Sequence, residues 1–478
     1  HRPTVIGAMG NWPLYYLTGK QGKSPGTGIT NWRGSALPCT LEGCEGVKVI
    51  PTFHPSYINR DRKKYPIFDM DMKFIIEESE FPEIKQPEEN FIIDPQGDLL
   101  EITTKNFLNA DYLDVDIETY GMDIACIGFA ASKSDAVCFG SLGSSSVRGA
   151  VTRLLHSGIP LSFHFGTFDT TVLDLNGYEV DNWIQNYKWD THTAQHVMWL
   201  ELPRSLAFLN SVYSHPRRPY YKHERKGEAG DADSKSWNPK MTKKHTLMVY
   251  NCRDVCSTQE SRVIQQEKIE NGPESWTRFF EFEMEQIRGP ARALSVAGFY
   301  VDMERKSMLS KAVTYKWAVA QTDLNKIVGL QLNVNSPPQV QALLYRVFKL
   351  PIKKNRVPGK AEAVTADDDA LVSLLNYTKS KSDSVIKSTT KAKWNRMHLV
   401  IKLIRIIRRL RKRLSSYIDI SISLDLRLRS IWKVSATETG RWACEKFVDG
   451  TGCNAQTFPR EPLEIEDEIL KMIERGEL

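Results

Sequence analysis

The stretch YLDVDIETYG, Tyr112 to Gly121, places Asp114, Asp116 and Glu118 in alternation with Leu113, Val115 and Ile117. Strict alternation of apolar and polar residues is the mark of a β-strand with one covered face. Successive strand side chains point to opposite faces, so the three acids share one side. Carboxylates in a buried strand are costly unless something positive faces them. Two convergent carboxylates suit a hard cation such as Mg²⁺ or Mn²⁺, which prefers oxygen ligands.

The same alternation of elements continues on both sides. IACIGFAAS and DAVCFGS read as further strands of the same sheet. SVRGAVTRLLHSG reads as an amphipathic helix stopped by glycine, IPLSFHFGTFD as a strand and turn, and HTLMVYNCRDVCSTQESRVI as a helix. Residues 99–272 are therefore expected to form an α/β domain with a mixed sheet. Residues 1–78 are broken by Gly and Pro into short apolar runs, and 79–98, rich in Glu and Pro, read as a linker. From 273 to 478 the pattern is mainly helical. SPPQVQALLYRVF opens on a Ser cap with Pro at the start of its helix. HLVIKLIRIIRRLRKRLSSYI carries an apolar stripe at 399, 400, 403, 407, 410 and 414.

The chain has 478 residues, enough for two to four domains, and a net charge of +6. The charge is uneven: between Lys387 and Arg413 there are eleven Lys or Arg and no acid, which points to a polyanion. The eight Cys form no CxxC pair, which argues against a zinc ribbon or disulfide framework and for a reducing, intracellular (cytoplasmic) setting. There is no apolar run long enough for a bilayer, so no membrane partner is expected.

Two further motifs follow the acidic strand: Phe168-Asp169 after a strand, and Tyr250 four residues before Asp254 on one helix face. The order D-x-E, F-D, Y-x-x-x-D resembles the DEDD superfamily of 3′→5′ exonucleases, which have a ribonuclease H-like fold. Tyr250, with Val at 249, marks the tyrosine-bearing subgroup. The resemblance implies that Asp116, Glu118, Asp169 and Asp254 hold two divalent metal ions and that Tyr250 orients the attacking water. One departure is plain: where the family carries H-N before x-x-F-D, His164 is followed by Phe165. Asp190 is read as a helix cap, and Asp114 as an acid behind the metal set or at the surface.

The later chain resembles family A DNA polymerases, those like bacterial polymerase I. SATETGRWACEKFVDGTGCNAQTFPRE resembles their T-G-R … N-x-Q-x-x-P-R segment through Thr439, Gly440, Arg441, Asn454, Gln456, Pro459 and Arg460. LNVNSPPQVQALL resembles the thumb motif N-x-x-S-P-x-Q, with Ser336 and Gln339 in place and Pro338 where Lys is common. The resemblance implies that Arg441, Asn454 and Gln456 reach the minor groove of a primer–template duplex. It implies that Arg408, Arg409 and Lys412 lie on duplex phosphates, so that DNA, as single-stranded 3′ end and as duplex, is the expected partner. No D-Y-S-Q-x-E-like run, fingers helix or H-D-E follows this segment, so the chain is read as the N-terminal part of a longer polymerase that does not polymerise by itself.

Residues 1–78 resemble the C-terminal half of a uracil-DNA glycosylase-like domain through G-N … L-T-G … R-G and the H-P-S-Y motif at His54, Pro55, Ser56 and Tyr57. In that superfamily the His loop approaches an extruded base. The overall expectation is a multi-domain α/β protein: a partial glycosylase-like piece, a ribonuclease H-like exonuclease domain, and a helical thumb with the start of a palm.

Overall fold

A computed structural model describes residues 3–215, 244–355 and 362–458. The chain divides into two compact units. The first comprises His1–Ala297 with Ile431–Asp449, and the second Gly298–Ser430 with the residues from Gly450 onward.

The first unit opens with a three-stranded sheet of order β1-β3-β2, from β1 (Val5–Met9), β2 (Leu37–Pro38) and β3 (Lys48–Thr52). β1 and β3 run parallel, with Met9 opposite Thr52. Besides the single turn Ile29–Trp32, the α-helices of this region are α1 (Asn11–Thr18), α2 (Pro55–Arg60) and α3 (Tyr65–Glu78). Arg33 is buried and pairs with Asp71, which also accepts from the Thr52 hydroxyl at 2.8 Å.

A six-stranded mixed sheet comes next, of order β4-β7-β6-β5-β8-β9. Its strands are β4 (Asn90–Ile93), β5 (Leu113–Tyr120), β6 (Asp123–Ala130), β7 (Asp135–Phe139), β8 (Leu161–Phe163) and β9 (Tyr187–Asp190). The run β5-β6-β7 is antiparallel, and β8 and β9 are parallel to β5. The three segments expected to be successive strands are thus direct neighbours. Helices α4 (Gly97–Phe107), α5 (Ser145–Leu155), α6 (Thr167–Leu175), α7 (Thr191–Met198), α8 (Leu206–Tyr213) and α9 (Lys244–Glu270) complete the region.

The pleat of β5 sorts its residues. Leu113, Val115 and Ile117 enter the main core with Ile127, Phe129, Val137 and Phe139. On the opposite face Cys126, Ala130, Ala136 and Cys138 pack against Leu247, Met248, Cys252, Val255 and Cys256 of α9. Small residues on the sheet let that helix approach closely, and the acids of β5 point to the same side. The apolar side is burial that stabilises at about 25 cal/mol per Å²; the polar side is where chemistry can be placed.

The stretch 79–98 differs from the linker expected there. Phe81 is tied down by the buried Lys48, whose ammonium donates to its carbonyl at 2.9 Å and lies 3.8 Å from its ring centroid. Asn90–Ile93 forms the edge strand β4, paired with β7. Residues 1–78 are likewise joined to later parts of the first unit. Phe53, Ile58 and Ile67 share a core with Leu202, Phe208, Leu209 and Tyr213, and Arg33 donates to the Ser211 hydroxyl at 2.8 Å. Phe208, Leu209 and Tyr213 of α8 thus pack against the segment that follows β3 and against α2 and α3. The division expected at 273 falls instead at Gly298, because α10 (Glu274–Gln286) packs into the main core through Phe280 and Met284. The helical path continues from α10 through a π-helical turn at Ile287–Ala291 around Pro290, which removes an intrahelical donor, into a last helical segment at Arg292–Ala297.

The second unit is helical, built on α11 (Met303–Val328), α12 (Asp368–Asp383) and α13 (Ser388–Arg413). The buried line of α13 runs through Met397, Val400, Ile401, Ile404, Ile407 and Leu410. This corrects the expected stripe: Leu399 is 44% exposed. Two helices pack on α13, so the covered face is wider than one stripe and turned toward 397 and 401. Ser336 caps the short helix Pro337–Gln341 without a side-chain bond.

Candidate metal centre

Three of the four expected metal-holding acids come together. One carboxylate oxygen each from Asp116, Glu118 and Asp254 lie within 4.8 Å of one another. Asp116 and Glu118 come from the polar face of β5, and Asp254 from α9 laid across it. Asp254 is buried, and the other two are half-buried. Hard oxygen donors at this spacing fit a divalent cation of the Mg²⁺ or Mn²⁺ class.

The fourth acid sits close by but outside this group of three. Asp169, in the first turn of α6, is buried, and its Oδ1 accepts from the main-chain N–H of Ile117 at 3.1 Å, between the two acids of β5. Burial pushes its carboxyl up to about 7, and the charges of Asp190 and Glu118 push the same way. A cation beside it would favour the ionised form. Tyr250 is half-buried on α9, one turn before Asp254.

Asp114 answers the question of what faces a buried acid. It is fully buried, and Arg262, two turns beyond Asp254 on α9, grips it with Nε–Oδ1 3.0 Å and Nη2–Oδ2 2.9 Å. Arg262 also stacks 4.0 Å from the Tyr112 ring centroid. Burial still holds the Asp114 carboxyl above its ordinary range, against the guanidinium's pull. Asp114 thus lies behind the three-acid group, and its place at the surface is excluded.

Asp190 caps α7, accepting from Thr193 N–H at 2.8 Å. It does more than the cap reading implied. Its Oδ2 takes the N–H of Gly166 at 3.0 Å and the Tyr187 hydroxyl, so it locks the turn that launches α6 and Asp169. Phe165, at the departure from the family pattern, has φ 62°, the left-handed region. Its ring lies 4.6 Å from that of His192 and 5.3 Å from the Lys433 ammonium. A left-handed non-glycine backbone costs about 1–2 kcal/mol, and an aromatic pair contributes about 0.5–1.5 kcal/mol. Phe165→Gly relieves the backbone but gives up the ring's partial burial and its contacts with His192 and Lys433, so it is expected to destabilise by about 1 kcal/mol. Phe165→Val, β-branched and unsuited to this backbone, should cost about 2 kcal/mol or more in a urea melt.

Sequence reasoning missed two residues on α9: Asn251, which bonds Asp116, and Arg262. Both share a helix face with Asp254, at three residues before and eight after, and that spacing was the available signal.

The expected DNA-contact residues are spread over both units. Arg441, in the first unit, is exposed, and its N–H donates to the Thr437 hydroxyl at 2.9 Å in a turn with Gly440 at φ 69°. Asn454 and Gln456 belong to the second unit, where Asn454 accepts from Gln456 N–H at 3.0 Å. Pro459 and Arg460 lie outside the described residues. Gln339 accepts from Asn333 N–H at 3.0 Å. Arg408 is turned inward, donating to the carbonyls of Val334 at 2.7 Å and Ala366 at 2.6 Å. Arg409 and Lys412 are exposed on α13, Arg409 lying 3.8 Å from Asp368. At the other end of the chain, exposed His54 caps α2, with Pro55 at its start and Ser56 N–H donating to Nδ1 at 3.1 Å.

Comparison with solved structures finds a likeness to the polymerase domain of Pol1 from M. smegmatis, solved in complex with DNA primer-template and dNTP. The TM-score is 0.52 at 15% sequence identity. The likeness is one of fold. It covers 79% of this chain and 57% of that one, so this chain spans a little over half the length of the domain it matches. No protein-family model and no curated protein matches. Among the described residues no helix is long and apolar enough to cross a membrane.

Proposed function

We propose that this chain is a metal-dependent 3′→5′ exonuclease acting on DNA 3′ ends, the proofreading portion of a family A DNA polymerase. The observation that carries the reading is the convergence of Asp116, Glu118 and Asp254 from a strand and a distant helix to within 4.8 Å. The mixed sheet beneath them supports a ribonuclease H-like domain, and the polymerase-like fold supports its attachment to a polymerase. Two bound divalent ions would supply an activated water and charge stabilisation at the leaving oxygen. The protein's own part is to hold the oxygen donors: Asp116 and Glu118 on a rigid strand, Asp254 on α9, and Asp169 beside Glu118. Tyr250 orients the attacking water. Arg409 and Lys412 meet phosphates, and Arg441, Asn454 and Gln456 meet the paired end, as the motif resemblance implies. Residues 1–78 are a glycosylase-like piece that carries His54, Pro55 and Ser56.

The test is hydrolysis of 5′-labelled single-stranded DNA and RNA with Mg²⁺ or Mn²⁺. Expected is a ladder shortening from the 3′ end of DNA, with nucleoside monophosphate as product. Faster loss of RNA would instead point to a ribonuclease D-type enzyme. No cleavage of either, with folded protein and metal present, would overturn the reading.

A further inference from the structure

Asn251 lies at the junction of α9 and the sheet and is fully buried. Its Nδ2 donates to Asp116 Oδ2 at 2.8 Å and to the Asp116 carbonyl at 3.2 Å. Its Oδ1 accepts from the Cys138 thiol at 3.3 Å, a weak but acceptable sulfur hydrogen bond. The amide is also walled in by Gly128: a Cβ there would fall 2.0 Å from Oδ1. Three strands thus meet one side chain, Asp116 from β5, Gly128 from β6 and Cys138 from β7.

We propose that Asn251 is a positioning residue for Asp116, and that the Cys138 thiol holds the Asn251 amide in the orientation that lets it do so. The proposal rests on the metal-dependent reading above. Turned over, the amide would set its oxygen against two acceptors of Asp116 and its NH₂ against a sulfur that accepts poorly. In the observed orientation every polar atom of the amide has a complementary partner. Burial among Cys126 and Cys252 pushes the Cys138 thiol well up, so it keeps the proton it donates at neutral pH. The bond to Oδ2 fixes the plane of the Asp116 carboxylate relative to Glu118 and Asp254. Hydrogen-bond partners of metal-holding groups commonly matter about 10–100-fold for metal affinity. Gly128 is required by the same geometry, since any side chain there displaces the amide.

The test is an Mn²⁺ titration of the whole chain, followed by the electron paramagnetic resonance signal of free Mn²⁺. Thermal melts establish that each variant is folded. Asp116→Ala against the parent defines the binding that belongs to this site. Asn251→Leu is expected to weaken that binding about 10-fold. Cys138→Ala should weaken it less, in the same direction, and Cys138→Ser, which keeps a donor, should restore it. KM for DNA should stay at the parental value, which a general loss of structure would not allow. If Asn251→Leu does not fold, Asn251→Ser is read in the same titration. Parental Mn²⁺ affinity in the Asn251 variant, or equal weakening by Cys138→Ser and Cys138→Ala, overturns the proposal alone. Absence of Asp116-dependent binding in the parent overturns the metal site and this proposal together.

Discussion

Asp116→Ala is expected to lower metal-dependent cleavage of a DNA 3′ end by about 10³-fold or more. The carboxylate belongs to a group of three whose oxygens converge within 4.8 Å. Removing it takes away charge stabilisation worth several kcal/mol at the transition state, and each 1.36 kcal/mol is about a factor of ten. Glu118→Ala should act similarly. The measurement is single-turnover digestion of 5′-labelled DNA at saturating Mg²⁺. The two changes made together should lose little beyond either one, because residues that act as a unit are not additive. Activity that survives both would place the chemistry elsewhere.

Arg262→Leu should destabilise the first unit by about 3–5 kcal/mol, the usual cost of stripping one partner from a buried ion pair. Asp114 has no exposed surface, and its hydrogen bonds to Arg262 run at 2.9–3.2 Å. Left without the guanidinium, the carboxyl meets the desolvation that already raises it and takes up a proton more readily. The double change Arg262→Leu with Asp114→Leu should recover most of the loss, since an apolar pair of similar volume is often tolerated at such sites. Urea unfolding of parent, single and double variants measures this. A single variant as stable as the parent would mean that Arg262 is not what compensates Asp114.

Much of the acidic strand was legible because a half-covered β-strand writes its geometry into every second residue. Asp116 and Glu118 had to share a face, and four-residue spacing put Tyr250 and Asp254 on one side of a helix. What joins the two elements is not written in either. Arg262 lies 148 residues beyond its partner Asp114, and only the folded sheet brings them together. Phe165 announced a departure from a pattern, but its left-handed backbone comes from the turn that Asp190 locks to Gly166. The 79–98 stretch looked like a linker from its Pro and Glu content. Composition does not register a buried lysine waiting for the Phe81 carbonyl, nor an edge strand needing only four residues. On α13 a single stripe was visible, whereas two neighbouring helices asked for a broader one.

Tyr250, Asn251, Asp254 and Arg262 all ride on α9, the helix that also closes the second face of the sheet. Docking this one helix therefore does two things at once. It brings the last acid to Asp116 and Glu118, which gathers negative charge, and it brings the guanidinium that neutralises Asp114. Seen this way α9 is a hinge-pin loaded at one end and relieved at the other. A divalent cation bound to Asp116 and Asp254 would act as a rivet between helix and sheet. Amide exchange along Lys244–Glu270 should then slow when metal is added, most strongly near Asp254, and that change would register on the backbone before any nucleotide is released.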